Sequence, residues 1–333
     1  MRIYAARVAH TFNCPTTSNG KIVELAKSFA ATLSYNQLRD LNQEYSLRNV
    51  VNWSNYPQAT MGRRGRCGLR IGTLSEEQWT ALNVLLAAAT GSGKNQGYDE
   101  IQQILNADDY LRDHGVARDY GRDNYYVAFL GTPSNSGTWE LQFGGHHLAI
   151  ANTYTDGNLV GATPSFRGIE PFSTFEYNGI SNQPQQRAQR TFVALLASFD
   201  NNQLALSRLR GKYRDLLLGP GKDWAFPTTP EGIRGSELHE DQRALLLAVI
   251  ETYVSSTDDV NAERILAGYE NDLDFTYVAY SGSTSVSKPK DYIRIDGPSV
   301  WIEFSMHIGI ILSDPHPHAV WRDKNTDYGG NAF

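Results

Sequence analysis

Five of the eight histidines in this 333-residue chain fall in two places. His146 and His147 follow Gly144-Gly145, and His307 precedes the run His316-Pro317-His318 near the C-terminus. A buried imidazole needs a hydrogen-bond partner or a metal. Adjacent residues on a strand point to opposite faces, so His146 and His147 reach one ion only if the Gly-Gly pair bends the chain. His316 and His318 are two apart on an extended run and can point the same way. Glu303 ends the apolar strand Val300 to Phe304, on the same face as Trp301, where a carboxylate is seldom left unpaired. These residues suit a divalent metal ion held by His146, His147, His316, His318 and Glu303. Zinc is the first expectation, and iron, manganese or copper are also admitted by such a set. Glu303, Arg322, Asp323 and Asp327 are the candidate catalytic groups, with Asp314 as a further outer partner.

The chemistry implied is hydrolysis by metal-activated water, with Glu303 as ligand or general base and Arg322 facing developing negative charge. With iron or copper, the same ligands would make an oxidoreductase. A third reading is non-catalytic, a His/Asp/Arg network that ties the C-terminal segment to a sheet. About 170 residues separate the two histidine clusters, so the fold must bring them together.

The elements that could do so are legible as patterns. Trp139, Leu141 and Phe143 alternate with Glu140 and Gln142, the period of a half-buried strand. Asn124–Leu130, Phe275–Ser281, Tyr292–Ile295 and Val300–Phe304 read as further strands. Apolar residues at helical spacing run from Ile22 to Leu33. Further helices are expected at Tyr98–Arg112, Gln185–Ser198, Glu240–Val254 and Val260–Gly268. Val160–Pro171 and the Pro-rich Leu216–Gly235 read as irregular, the latter as a long crossover or lid. The segment after Asp314 carries Trp321 and Tyr328 and is expected to pack on the body.

Helix starts recur. Ser34 with Gln37 and Ser75 with Gln78 form capping-box pairs, as do Asp200 with Gln203 and, more weakly, His239 with Gln242. Ser34 and Ser75 lie 41 positions apart and Asp200 and His239 lie 39 apart. The spacing suggests a duplication of helical pairs around a central sheet, although such a motif is also simply a good helix start. The expectation is an α+β fold: an N-terminal arm over 1–19, then one domain over 20–333 with helices around a mostly antiparallel sheet. Strand 139–152 is expected beside strand 300–304, with His316-Pro317-His318 over the His146-His147 corner.

Composition is that of an ordinary globular chain, 41% hydrophobic and 20% charged. A net charge of −6 and a pI near 5.8 argue against a nucleic-acid footprint. Arg63, Arg64, Arg66 and Arg70 are a local exception that reads as an anion-binding or merely solvated loop. No apolar run is long enough to span a membrane, and the first residues lack the apolar stretch of a secretory leader. The compartment is therefore unassigned, a secreted or periplasmic setting being favoured if a leader is missing from the chain. Cys14 and Cys67 either pair or stay as thiols. Gly91-Ser92-Gly93-Lys94 departs from a phosphate loop and reads as a helix end. There is no G-x-S-x-G, no G-x-G-x-x-G after a strand, and no H-E-x-x-H. Two carboxylates and exposed aromatics keep glycosidase chemistry open without favouring it. The substrate, small or polymeric, is not named.

Several blocks resemble an uncharacterised family, domain of unknown function 3500. They are the Arg64–Ile104 region, Leu130–Pro171 with WELQFGGHHL and TPSFRGIEP, Phe199-Asp200-Asn201-Asn202-Gln203, and IRIDGPSVWIEF with HPHAVWRDKNTDYG. The resemblance implies one family-wide unit from about residue 20 onward and no established activity. It marks His146, His147, Glu303, His316, His318, Arg322, Asp323 and Asp327 as the positions expected to matter. His307 lies outside the matching blocks and is left out of the expected site.

Overall fold

A computed structural model describes residues 18–58, 60–61, 65–114, 119–309, 311–331 and 333. The expected arm falls almost wholly outside these residues. So do Cys14, and with it the disulfide question, and Arg63 and Arg64.

The fold is α+β, and it is built from two similar runs of elements. The first half runs α1 (Ser18–Ala31), α2 (Tyr35–Leu41), β1 (Asn42–Gln43), α3 (Leu47–Val50), β2 (Leu69–Arg70), α4 (Glu76–Ala89) and α5 (Gly97–Asp113). Strands β3 (Tyr126–Leu130), β4 (Thr138–Gly145), β5 (Leu148–Thr155), β6 (Asn158–Gly161) and β7 (Ser165–Gly168) complete it. A small hairpin, β8 (Phe175–Tyr177) with β9 (Ile180–Asn182), leads to the second half. That half repeats the plan, to which the first adds β1, α3 and β6: α6 (Gln186–Ala197), α7 (Asn201–Ser207), β10 (Ile233–Arg234), α8 (Glu240–Val254) and α9 (Asp259–Asn271). Strands β11 (Tyr277–Ser281), β12 (Tyr292–Asp296), β13 (Val300–Ile308) and β14 (Pro315–Asp323) follow.

One sheet joins the halves in the order β1-β3-β4-β5-β7-β14-β13-β12-β11-β10, with β2 and β6 as side branches on β3 and β5. Only the β1–β3 pair is parallel among these strand pairs. The central pair, β7 with β14, is antiparallel, His318 facing Gly168 and Trp321 facing Ser165.

The duplication extends into details of backbone. Three capping boxes form in full, and at the fourth only the return bond is made, His239 N–H to Gln242 Oε1 at 3.0 Å, while Gln242 N–H donates to Asp241 Oδ1. The capping glutamines then bond to each other in matching pairs. Gln37 and Gln78 exchange bonds of 3.0 and 3.1 Å, and Gln203 and Gln242 exchange bonds of 2.9 and 2.8 Å. Gly68 and Gly232 hold φ of +104° and +110°, and a Cβ on either would collide with the carbonyl of Val127 or Val278. Those valines sit in matching runs, Tyr126-Val127-Ala128 and Tyr277-Val278-Ala279. The duplication of helical pairs read from the sequence is therefore part of a larger one that includes the strands.

The helices cover one face of the sheet. Phe129, Trp139, Leu141, Phe143, Ile302, Phe304 and Trp321 pack there against residues of α1, α4, α5, α6 and α8. The other face is covered by two straps that follow α2 and α7. Trp53 and Leu216 pack on Ala149, Phe166 and Val320, and Leu209 and Tyr213 on Ala279 and Tyr292. The expected crossover over Leu216–Gly235 is thus most of the second strap, which runs from the end of α7 to β10.

Three expectations change. Val160–Pro171 contains β7, a central strand, because residues buried on both faces lose the alternation that marks an exposed one. The C-terminal segment is not packed on the sheet but enters it as β14. Strand 139–152 does not lie beside 300–304, since β7 and β14 stand between β5 and β13.

Candidate metal centre

The His146-His147 pair forms the two-residue turn between β4 and β5, closed by Gly145 opposite Leu148. His147 takes φ +62°, a left-handed conformation costing about 1 kcal/mol in a non-glycine residue. Gly145 has no room for a side chain, its Cβ position falling 2.6 Å from the Tyr125 ring. Gly168 of β7 is equally constrained. A Cβ there would lie 2.8 Å from His147 Cδ2 and 3.1 Å from His318 Cδ2, so both rings lean over bare backbone. On β13 and β14 the register sets Ser305 opposite His318 and His307 opposite His316. These residues share the strap-covered face with Glu303 and Arg322. Pro315 and Pro317 lie beyond the residues of β14 that pair with β7, where a missing N–H is tolerated. Glu170, just past β7, accepts the backbone N–H groups of Ile311 and Leu312 at 3.2 and 2.8 Å and holds the β13–β14 hairpin.

The fold thus joins clusters from the two halves. His147, His316 and His318, all buried, each offer a ring nitrogen, and the three lie within 4.8 Å of one another. His147 Nε2 and His318 Nε2 are 3.3 Å apart. His316 Nδ1 is buried with no hydrogen-bond partner. Burial, reinforced by the neighbouring imidazoles, pushes the His147 pKa well below its usual value and lowers that of His318. The same causes bring His316 down to about 3. At neutral pH the three rings are uncharged and carry lone pairs, the form that binds a metal.

His146 has a different neighbour. Its Nδ1 lies 2.6 Å from Asp108 Oδ1, and the other oxygen of Asp108 accepts the Gly121 N–H at 2.8 Å. The His146 ring stacks on His147 at 3.7 Å with 26° between planes, and Tyr120 meets it edge-on. The turn therefore does bring both histidines to one place, but His147 alone joins the three-nitrogen group.

Asp215, on the second strap, reaches the cluster from above. Its Oδ1 lies 3.2 Å from His318 Nδ1 and 3.0 Å from His307 Nε2. Burial would raise its pKa, but the contacts with His307 and His318 outweigh this and hold it well below the usual carboxylate range. Asp108 and Asp215 were not among the residues picked out from the sequence, and His307 was seen there as part of the cluster but left out of the expected site.

Glu303 stands apart from the nitrogens. Its Oε1 accepts Leu218 N–H at 2.9 Å and Trp301 Nε1–H at 2.8 Å, and its Oε2 accepts Leu217 N–H at 2.6 Å and Tyr292 O–H at 2.7 Å. Burial raises its pKa against the pull of these donors. It fastens the strap to β13. Arg322 does the same on β14. It pairs with Asp223 at 3.0 Å and Asp327 at 2.9 Å, and donates to Leu218 O at 3.0 Å, over the Trp53 ring. Asp327 also accepts Asp323 N–H, and Asp323 accepts Tyr269 O–H and the N–H groups of Asn325 and Thr326. Asp314 enters through its backbone carbonyl, which accepts Gly309 N–H. In the first-strap region, Arg66 donates to Ser54 O, Tyr56 O and Gln58, and Arg70 to Asp123 O and Asn124. Both arginines are committed to the chain itself.

Residues 16–330 match the family model described as protein of unknown function, DUF3500. No curated protein and no solved structure matches the chain. Among the described residues, no helix is long and apolar enough to cross a membrane.

Proposed function

The chain belongs to the DUF3500 family, whose description names no activity, and from the geometry of its histidines we propose that it is a metal-dependent hydrolase. The observation that carries this is the buried group of His147, His316 and His318, with His316 Nδ1 left unpartnered. Burying an imidazole nitrogen without a partner is costly. A shared ion removes that cost.

His147, His316 and His318 would hold the ion and leave a further position for water. A zinc ion so bound brings the pKa of that water to about 7. His146, whose ring stacks on that of His147, would be the candidate base for its proton. Asp108 accepts its Nδ1–H and thereby leaves Nε2 as the ring's acceptor. Glu303 and Arg322 belong to the strap's anchorage in this reading, since their polar atoms are already engaged. The alternative of an iron or copper oxidoreductase keeps one argument, because a histidine-only set also suits copper.

Elemental analysis tests the proposal. The protein is purified without chelator or histidine tag, beside a folded His316→Ala/His318→Ala variant. Near-stoichiometric zinc that disappears in the variant supports hydrolysis, and a redox-active metal moves the reading to oxidation chemistry. Absence of metal in both, after reconstitution with zinc, iron, manganese and copper, ends it.

A further inference from the structure

A second group of ligand atoms overlaps the first. Asp215, His307 and His318 also bring one ligand atom each to within 4.8 Å of one another. His318 belongs to both groups, through different nitrogens. Its Nε2 is 3.3 Å from His147 Nε2, and its Nδ1 is 3.2 Å from Asp215 Oδ1.

The contacts in this second group are short without all being hydrogen bonds. His307 Nε2 lies 3.0 Å from Asp215 Oδ1, yet it has no partner in hydrogen-bonding geometry. Atoms that share an ion behave this way. Metal–ligand bonds of about 2.0 Å at tetrahedral angles set the ligand atoms roughly 3.3 Å apart, each aimed at the ion and not at its neighbour.

We propose that the cluster holds two divalent ions, one on each side of the His318 ring. The inner ion sits on His147, His316 and His318, and the outer ion on Asp215, His307 and His318. This rests on the metal reading given above and extends it. Binding of the outer ion displaces the proton on His318 Nδ1, which leaves to solvent, so the ring bridges as an imidazolate. Two metal–nitrogen bonds of about 2.0 Å across the ring put the ions roughly 6 Å apart.

The two positions differ in access. The Asp215 side chain is 45% exposed and that of His307 17%, against 11% for His318. The outer ion would therefore border solvent and offer the open positions where water and substrate arrive. Its carboxylate comes from the strap, so the outer site is complete only while Glu303 and Arg322 hold the strap down. If Asp215 instead only accepts the Nδ1–H of His318, orienting that ring for a single ion, the cluster takes one metal.

Stoichiometry separates these cases. The full chain is reconstituted with zinc and, separately, with Cu(II), and compared with Asp215→Asn and His307→Ala variants whose fold is checked by circular dichroism. Two zinc ions per chain are expected, falling to one in each variant. The Cu(II) protein should show a magnetically coupled pair by paramagnetic resonance, replaced by one isolated copper signal in each variant. One ion in the unmodified chain overturns this proposal while leaving the hydrolase reading standing. Two ions retained in both variants also overturn it, and no ion at all ends both.

Discussion

Glu303→Gln separates an anchoring role from a metal-binding one. The amide keeps one oxygen in place of two. If that oxygen takes the place of Oε1, Leu218 N–H and Trp301 Nε1–H keep their acceptor, while Leu217 N–H and Tyr292 O–H face an NH₂ group. The tyrosine hydroxyl can rotate to accept from that group, but the backbone N–H cannot. One buried donor left without an acceptor costs about 1–3 kcal/mol, so about 2 kcal/mol is a fair central value. Unfolding entropy of about 2.1 cal/mol/K per residue amounts to roughly 0.7 kcal/mol/K over 333 residues. The melting temperature should therefore fall by about 3 °C. Calorimetry reads the shift, and elemental analysis of the same sample reads the metal. The anchoring role requires a lowered melting temperature with the ion on His147, His316 and His318 retained. An unchanged melting temperature with metal lost would refute it and return Glu303 to the ligand set.

Other outcomes follow from the same contacts. Burial raises the Glu140 pKa to about 7, against hydrogen bonds from Thr153 and Gln142. A raised carboxylate pKa means stability present below the unfolded value near 4.5 and lost as pH climbs to about 7, a fall of about 3 kcal/mol that Glu140→Gln should abolish in urea titrations across that range. Saturating zinc at a hundred times its dissociation constant should add about 2.7 kcal/mol, or about 4 °C in melting temperature, reversed by a chelator. A double-mutant cycle on Gln203→Ala and Gln242→Ala should give a coupling of about 0.5–3 kcal/mol, whereas Gln203→Ala with Gln78→Ala, from opposite halves, should be additive within about 0.5 kcal/mol.

Much of this was legible in the sequence because the signals are local. The capping boxes set helix starts, alternation set β4 and β13, and Pro-rich composition marked the second strap. What was missed depended on reading two levels together. Asp108 lies on the buried stripe of α5, at helical spacing from Ile101, Ile104 and Leu111. An acid on that stripe signals a partner, but its partner is a turn 38 residues on. His307 was seen in the cluster but left out of the expected site, and it joins Glu303 and Ser305 on one face once β13 is allowed to run to Ile308. Asp215 sits in irregular chain, where no period marks a face, and only the tertiary fold places it. The repeats Gly68-Leu69-Arg70 with Gly232-Ile233-Arg234, and Tyr126-Val127-Ala128 with Tyr277-Val278-Ala279, carry the duplication into the sheet. They sit outside the capping motif that first suggested it. The strand pairing was harder to foresee, because β7 is short, buried on both sides and flanked by prolines.

The sharpest test lies in the turn between β4 and β5, where two neighbouring histidines are given different work. Metal content is measured for His147→Ala and His146→Ala, each shown to be folded. His147→Ala should lose the inner ion, and His146→Ala should keep it. Metal content lowered in His146→Ala and unchanged in His147→Ala would contradict the arrangement, as would a content unchanged in both.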